Sequence, residues 1–530
     1  MKELNLFDAR CTIGRHLKLA GGAPHTARDL LLDMDRHGIA EALVLDALAH
    51  EHHPRAGAQR VLRDTAAAPR LHPARAALPP GACEDQDSPE RLLGAMRRNK
   101  VGAVFLLPRQ YRFSLADWCV DALLDPLAAA GVPVVVNYNE IGPNPMSTDV
   151  TDWDELVRLC RRWPRLPVIL SEWRIRRTNR LAYRALDACP NLYLELSGYW
   201  LHHGIEYLAR RWGAERLIFG TQWPHRGQGS ETATLVMADV SDEEKQLIGG
   251  DNLRRLLKWC EPEHPVVTLP EPEDDYVRLA RTGSRAPGMT FLDNHGHLDT
   301  RCAHYHLPDA ELEQVVAEMS RLGVEKTCVF GFTGVFSDEK PGNDYVADAV
   351  RRYPDRFVGF TLVNPLRGLE AMLGELERGH AMGLRGVKLI PHYQGASPEH
   401  PLIDVACEWA HLHRQIILNH HWGAPDQMER LLTTYPNACF FTGHATAAYA
   451  DIMQEHANLF VCSCPLLGPR ACEELVARIG ANRLMFGSDL LDLPVAWGLG
   501  PVLFARLTPA EKRMILHDNL ADVLQRYSLP

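Results

Sequence analysis

The stretch TFLDNHGHLDT, residues 290–300, sets His295 and His297 one residue apart at the end of an apolar run. Side chains alternate along a strand, so both imidazoles face the same way, about 6–7 Å apart, and can converge on one cation. Downstream, ILNHHW carries His420 and His421, TGHA carries His444, and FGSD carries Asp489. Imidazole and carboxylate donors together suit a borderline divalent ion such as Zn²⁺, and also Mn²⁺ or Fe²⁺. Taken singly, each residue has an ordinary explanation: a strand-end cap, a salt-bridge partner or a packed histidine. The order HxH…H…H…D, spread over four strand ends, is what points to a metal. Because His420 and His421 are adjacent, at most one of them faces the same side as the others. A second HxH, His304-Tyr305-His306, reads as a loop with incidental histidines. Cys462 and Cys464 share a strand face and read as small core-filling residues.

The elements that must position these groups are short β-rich runs alternating with helical patterns. In the second half the strand candidates are 291–295, 326–332, 357–363, 386–390, 415–421, 438–444, 458–463 and 483–489, with helices such as 309–323 and 509–527 between and after them. Near-continuous apolar strands alternating with helices predict a parallel sheet covered on both faces. About eight such units in roughly 250 residues is the size of a (β/α)8 barrel, whose active site lies at the C-terminal ends of the strands. An open doubly wound sheet would carry a glycine-rich turn after its first strand, and no GxGxxG stands there.

The chain also repeats itself. RLIFGTQWP begins at Arg216 and RLMFGSDLL at Arg483; DNLRRLLK begins at Asp251 and DNLADVLQ at Asp518; Asn191 of PNLYLELSG matches Asn458 of ANLFVCSCP. All three pairs are 267 residues apart. The expected fold is therefore α/β, two tandem (β/α)8 TIM-like barrels over 1–260 and 288–530, joined by a proline-rich, acidic linker over 261–287.

Composition limits the function classes. The chain has 530 residues, too many for one ordinary core, and a formal net charge of −10. No basic face or basic aromatic groove is available for nucleic acid. No apolar run approaches a membrane span, and the N-terminus lacks a leader pattern. The 13 cysteines form no CxxC pair. They read as reduced core residues of a cytoplasmic protein with no nucleic-acid or membrane partner.

As a set, FLDNHGH, GVKLIPHYQG, ILNHHW, TGHA and RLMFGSD resemble the metal-dependent amidohydrolase superfamily, and within it the branch of aminocarboxymuconate-semialdehyde decarboxylase-like enzymes. The resemblance covers the second copy. It implies that His295, His297, His420 and Asp489 hold one divalent metal ion, foremost Zn²⁺, that His444 is catalytic, and that Asp489 doubles as general base for water. Lys388 is expected to contact an anionic substrate rather than bridge two metals as a carboxylated lysine, the alternative being a barrel lysine with its stem along apolar surface. His392, Tyr393 and His421 are the further candidates for substrate contact. The branch hydrolyses amide, ester or lactone bonds of small molecules and also decarboxylates carboxylic acids with nearly the same ligands. Hydrolysis is the leading expectation, since the loop after GVKLIPHYQG has no arginine to clamp a carboxylate. A non-catalytic scaffold or ligand-binding protein is the rival from another class.

Aligning the motifs puts Arg10 and Thr12 where the paired histidines would stand, Asn137 for His420, Phe105 for Lys388, Glu172 for His444 and Gln222 for Asp489. The first copy is therefore expected to be a pseudo-enzyme, with a structural or substrate-binding role. Barrels of this branch often pair, so barrel–barrel pairing within the chain and a homodimer are both expected partners' arrangements. Arg10, Arg174, Arg176 and Arg177 would allow an anion site in the first barrel, surface solvation being their commoner explanation.

Overall fold

The computed structural model describes residues 3–81, 87–139, 149–259, 267–302 and 304–528. It divides into two compact units, residues 1–200 with 204–284 and 467–469, and residues 285–466 with 201–203 and 470–530. The start of the expected linker, 261–266, lies outside the described residues. Part of the remainder is not extended: Asp274 caps a helix, Asp275–Thr282, that buries Val277, Leu279 and Ala280 within the first unit. Among the described residues, no helix is long and apolar enough to cross a membrane.

The second unit holds one eight-stranded sheet in sequence order: β10 (Phe291–Leu298), β11 (Val324–Gly331), β12 (Phe357–Leu362), β13 (Gly386–Leu389), β14 (Ile416–Asn419), β15 (Cys439–Thr442), β16 (Leu459–Cys462) and β17 (Leu484–Met485). Every pairing is parallel. Runs such as Ile416-Ile417-Leu418 are buried along their length, as a sheet covered on both faces requires. Helices such as Leu312–Leu322 turn Leu312, Val315, Met319 and Leu322 to the interior, the spacing of one helical face. The first strand meets the segment after the last: Asn294 N donates to Phe486 O at 2.9 Å, and His297 N to Leu490 O at 3.0 Å. The sheet is a closed (β/α)8 barrel.

The first unit carries β1 (Leu6–Ile13), β2 (Ile39–Asp46), β3 (Leu71–Pro73), β4 (Arg75–Ala76), β5 (Val104–Leu106), β6 (Val134–Val136), β7 (Val168–Leu170), β8 (Leu192–Glu195) and β9 (Leu217–Ile218), all in parallel pairings. Its ladder is interrupted once. β3 pairs with β2 and β4 with β5, and Ala74 between them donates to Val44 O at 2.7 Å, so β3 and β4 share one barrel position. Ala9 N to Phe219 O at 3.0 Å and Thr12 N to Trp223 O at 2.8 Å close the other side.

The same devices shut both barrels. Asp8 Oδ1 accepts from Thr221 N at 3.0 Å, and Asp293 Oδ1 from Ser488 N at 2.9 Å, each aspartate also taking the neighbouring hydroxyl. Near each C-terminal end a five-residue π-helical turn, Leu247–Asp251 or Met514–Asp518, leads into a helix begun by asparagine. Asn252 Nδ2 donates to Ala214 O and Leu217 O, and Asn519 Nδ2 to Ala481 O and Leu484 O, all at 2.7–2.9 Å.

Candidate metal centre in the second unit

His295 and His297 stand on β10 with fully or nearly fully buried rings, and Asp489 follows β17 in left-handed backbone, φ 60°. Asp489 Oδ1 lies 2.9 Å from His297 Nε2 and 3.4 Å from His295 Nε2. Two donor atoms each about 2.0–2.2 Å from one ion stand about 3–3.5 Å apart, so this spacing fits a single cation. The chemistry of the donors fits too. Both nitrogens of the buried His295 ring lack a hydrogen-bond partner, a costly state for a polar group unless something outside the protein meets it.

Gly487 makes the approach possible. A Cβ there would stand 2.3 Å from Cys462 Sγ and 2.5 Å from Asn294 Oδ1, so no side chain can separate the β17 end from β10. Burial works to raise the Asp489 carboxyl, but the His297 hydrogen bond and the fields of His295, His297 and His444 prevail and hold it well below the usual carboxylate range. Burial, reinforced by Lys388, drives the His295 imidazole to its neutral, ligating form.

The expected fourth ligand is placed differently. His420 is not gathered with the other three; its Nε2 faces His444 Nε2 at 2.9 Å, and its ring lies 4.6 Å from that of His392. His392, His420 and His421 form a second group of imidazoles whose donor atoms lie within 4.8 Å of one another. The two groups adjoin through His444, whose ring stacks on His295 at 5.7 Å. Gly443 allows this, since a Cβ there would meet His420 Cα at 2.6 Å. His444 Nδ1 lies 3.1 Å from Cys464 O. A carbonyl only accepts, so Nδ1 carries the proton and Nε2 turns a lone pair to the site. Burial pushes the His444 imidazole down to about 4.

Lys388 is wholly buried, with no hydrogen-bond partner for Nζ, which sits 4.0 Å above the Phe330 ring. It does not reach solvent along an apolar stem. Burial lowers its pKa to about 7. Tyr393 and His392 occupy the rim, Tyr393 being 45% exposed, with their rings 4.5 Å apart; His421 is exposed 4.8 Å from His392. Cys462 and Cys464 are buried and belong to neither imidazole group. His304 packs edge-on against Phe336 at 4.5 Å. Sequence reasoning missed Phe332, which stacks on His297 at 4.2 Å and 10°, and Phe330, which contacts both β10 histidines. Their only signal was the FGF at residues 330–332, where β11 gives way to a helix.

At the matching places in the first unit the side chains are engaged within the barrel. Gln222 repeats the left-handed backbone of Asp489, φ 64°, but its Nε2 donates to Glu172 O at 2.7 Å. Asn137 Nδ2 donates to Ser171 O. Glu172 accepts from Tyr138 N at 3.0 Å, from Thr151 Oγ1 at 3.2 Å and from Asn139 Nδ2. Arg10 lies buried over Phe105 at 5.2 Å; Arg174 lies over Trp200, and Arg177 is exposed.

A family model described as amidohydrolase matches residues 12–259 and 330–526. No curated protein matches the chain. Similar solved structures include 2,6-dihydroxybenzoate decarboxylase from Rhizobium, at 14% identity over 45% of this chain and 99% of that one, TM-score 0.36. Another is 5-carboxyvanillate decarboxylase from Novosphingobium aromaticivorans with bound manganese, at 17% identity over 45% and 97%, TM-score 0.38. A third is 4-oxalomesaconate hydratase from Rhodopseudomonas palustris, at 17% identity over 45% and 96%, TM-score 0.35.

Proposed function

We propose, for a chain that belongs to the amidohydrolase family, that the barrel of residues 288–530 is a metal-dependent hydrolase of an amide, ester or lactone bond in a small molecule. The observation that carries this reading is the convergence of His295, His297 and Asp489, from the first and last strands, at the spacing of ligands to one ion. One divalent ion, Zn²⁺ with Mn²⁺ or Fe²⁺ as alternatives, would be held by these three with His420. When bound it would polarise a carbonyl oxygen and acidify water.

The protein's own groups then have defined tasks. Asp489, kept ionised, takes a proton from the attacking water. His444 Nε2, its tautomer set by the Cys464 carbonyl, relays the proton to the leaving atom. Lys388 supplies a buried positive charge for an anionic substrate, with His392, Tyr393 and His421 forming the rim that contacts it.

The second reading is non-oxidative decarboxylation of a small carboxylic acid by the same residues. The unpartnered buried amine of Lys388 favours it, as a counter-charge for a carboxylate. In both readings residues 1–260 form a pseudo-enzyme barrel that contributes structure or substrate capture. The support is that Arg10, Thr12, Asn137, Glu172 and Gln222 stand where the second barrel has its donors.

The test is elemental analysis of the purified chain and of His295→Ala/His297→Ala, followed by assays of amides, esters, lactones and aromatic carboxylates. About one ion per chain, lost in the variant together with hydrolysis, is the expected result. Release of carbon dioxide without hydrolysis selects the second reading. No ion and no turnover would leave a non-catalytic, ligand-binding protein.

A further inference from the structure

The mouth of the first barrel contains a group of buried polar atoms that nothing within it satisfies. Arg10, on β1, is 5% exposed, and its guanidinium has no hydrogen-bond or ion-pair partner among the described residues; Nη1 is completely enclosed. Three histidines gather at the same strand ends. His16 follows β1, His50 lies in the helix Ala47–Glu51 that follows β2, and His225 follows β9. The His16 ring is 4.1 Å from that of His225 and 6.0 Å from that of His50, and Trp173, after β7, meets His225 edge-on at 5.0 Å. His16 Nε2, His50 Nε2, both His225 nitrogens and Trp173 Nε1 are buried without partners. All of these lie at the C-terminal ends of the strands, where a barrel of this kind keeps its ligand.

The acids nearby, Glu195, Glu172 and Asp8, act on Arg10 through their fields, but none bonds its guanidinium. Glu195 is occupied by Ser197 N at 2.6 Å, Ser197 Oγ at 2.7 Å and Ser171 Oγ at 2.8 Å. Glu172 is occupied by Tyr138 and Asn139, as described above. Burial favours the protonated form of both carboxyls. Glu51 is engaged with His16 Nδ1 at 3.1 Å, and Glu231 faces Arg226 at 3.8 Å. The field of Arg10 reaches His50 and His225, whose imidazoles burial keeps neutral. A fixed positive charge beside neutral imidazole and indole groups is a setting for an oxyanion, which takes charge-assisted hydrogen bonds from guanidinium and ordinary ones from ring N–H groups.

We infer that the first barrel binds the carboxylate or phosphate group of a small molecule, with Arg10 as counter-charge and the ring N–H groups of His50 and His225 as the hydrogen-bonding wall. The site lies wholly in the first unit and is independent of the chemistry proposed for the second. It gives the barrel without metal donors a binding role of its own.

The test uses the full chain, as wild type and with His295→Ala/His297→Ala to remove the donors of the second barrel. Inorganic phosphate and benzoate are titrated separately, by thermal unfolding and calorimetry. A saturable rise in melting temperature with either anion is expected, unchanged in the double variant. Arg10→Met should abolish it, and His50→Leu should weaken binding roughly tenfold. A response to phosphate alone or benzoate alone identifies the type of oxyanion. No response to either, or an equal response in Arg10→Met, overturns the proposal. Should Arg10→Met fail to fold, wild-type crystals soaked in selenate decide: an anomalous peak within hydrogen-bond distance of Arg10 supports the site, and an ordered Arg10 without a peak overturns it.

Discussion

Asp489 Oδ1 lies 2.9 Å from His297 Nε2, a contact between residues 192 positions apart that spans the junction of the first and last strands of the second barrel. The latch of Asp293 to Ser488 closes the same junction one step lower. An ion held by these residues therefore binds across the closure of the barrel, and its effect reaches stability as well as chemistry.

Metal removal should lower the unfolding temperature of the second unit. A ligand present at about 1,000 times its Kd stabilises by about 4 kcal/mol. Calorimetry before and after chelation, with re-addition of Zn²⁺ or Mn²⁺, measures this. His295→Ala/His297→Ala should unfold at the same temperature with and without added ion.

His420→Ala and His421→Ala separate the adjacent histidines. His420 is the proposed fourth ligand and of the pair is the one that meets His444 Nε2, so His420→Ala should lose ion stoichiometry and activity together. His421→Ala should keep the ion and raise KM. Elemental analysis beside steady-state kinetics checks both; equal ion loss in the two variants would contradict the assignment.

His444→Asn should retain the ion and lower kcat by about 10²–10⁴, the range for removal of a positioned proton-transfer group. An unchanged kcat would remove His444 from the chemistry.

Gly487→Ala should destabilise the second unit by about 1–3 kcal/mol, as overpacking of a filled core does. The new methyl would press on Cys462 Sγ and Asn294 Oδ1. Denaturant unfolding gives the loss, and reduced ion affinity should accompany it.

The first unit should lose stability as pH rises. Burial raises the Glu172 carboxyl from its ordinary 4.5 to about 8. The folded state therefore holds a proton that the unfolded chain gives up. The stabilisation is complete below about 4.5 and is lost as pH passes through about 8, with a slope up to about 1.4 kcal/mol per pH unit. Glu172→Gln should flatten that part of the pH–stability curve.

Much of this arrangement was legible in the sequence because it follows from local periodicity. Alternation along β10 puts His295 and His297 on one face, and apolar runs such as Ile416-Ile417-Leu418 mark strands buried on both faces. What depended on the path of loops was not legible. The grouping of His392 with His420 and His421 joins residues that follow different strands, and the stacking of Phe332 on His297 depends on how the helix Phe332–Phe336 leaves β11. The break at Ala74 has no local signal, because a strand that changes partners reads like one that does not. The helix Asp275–Thr282 was hidden by the proline and acid around it, although Asp274 is an ordinary helix cap.

The hydrogen bonds that shut the two barrels, Asp8 to Thr221 and Asp293 to Ser488, use none of the candidate metal donors. Architecture and reactivity are thus written in different letters of the same strands. The first unit closes by the same bonds with Arg10, Thr12 and Gln222 at the places of His295, His297 and Asp489, so closure there makes no demand on those side chains. A frame that shuts itself without its mouth residues is a chassis, on which a binding site can be installed by design without rebuilding the barrel.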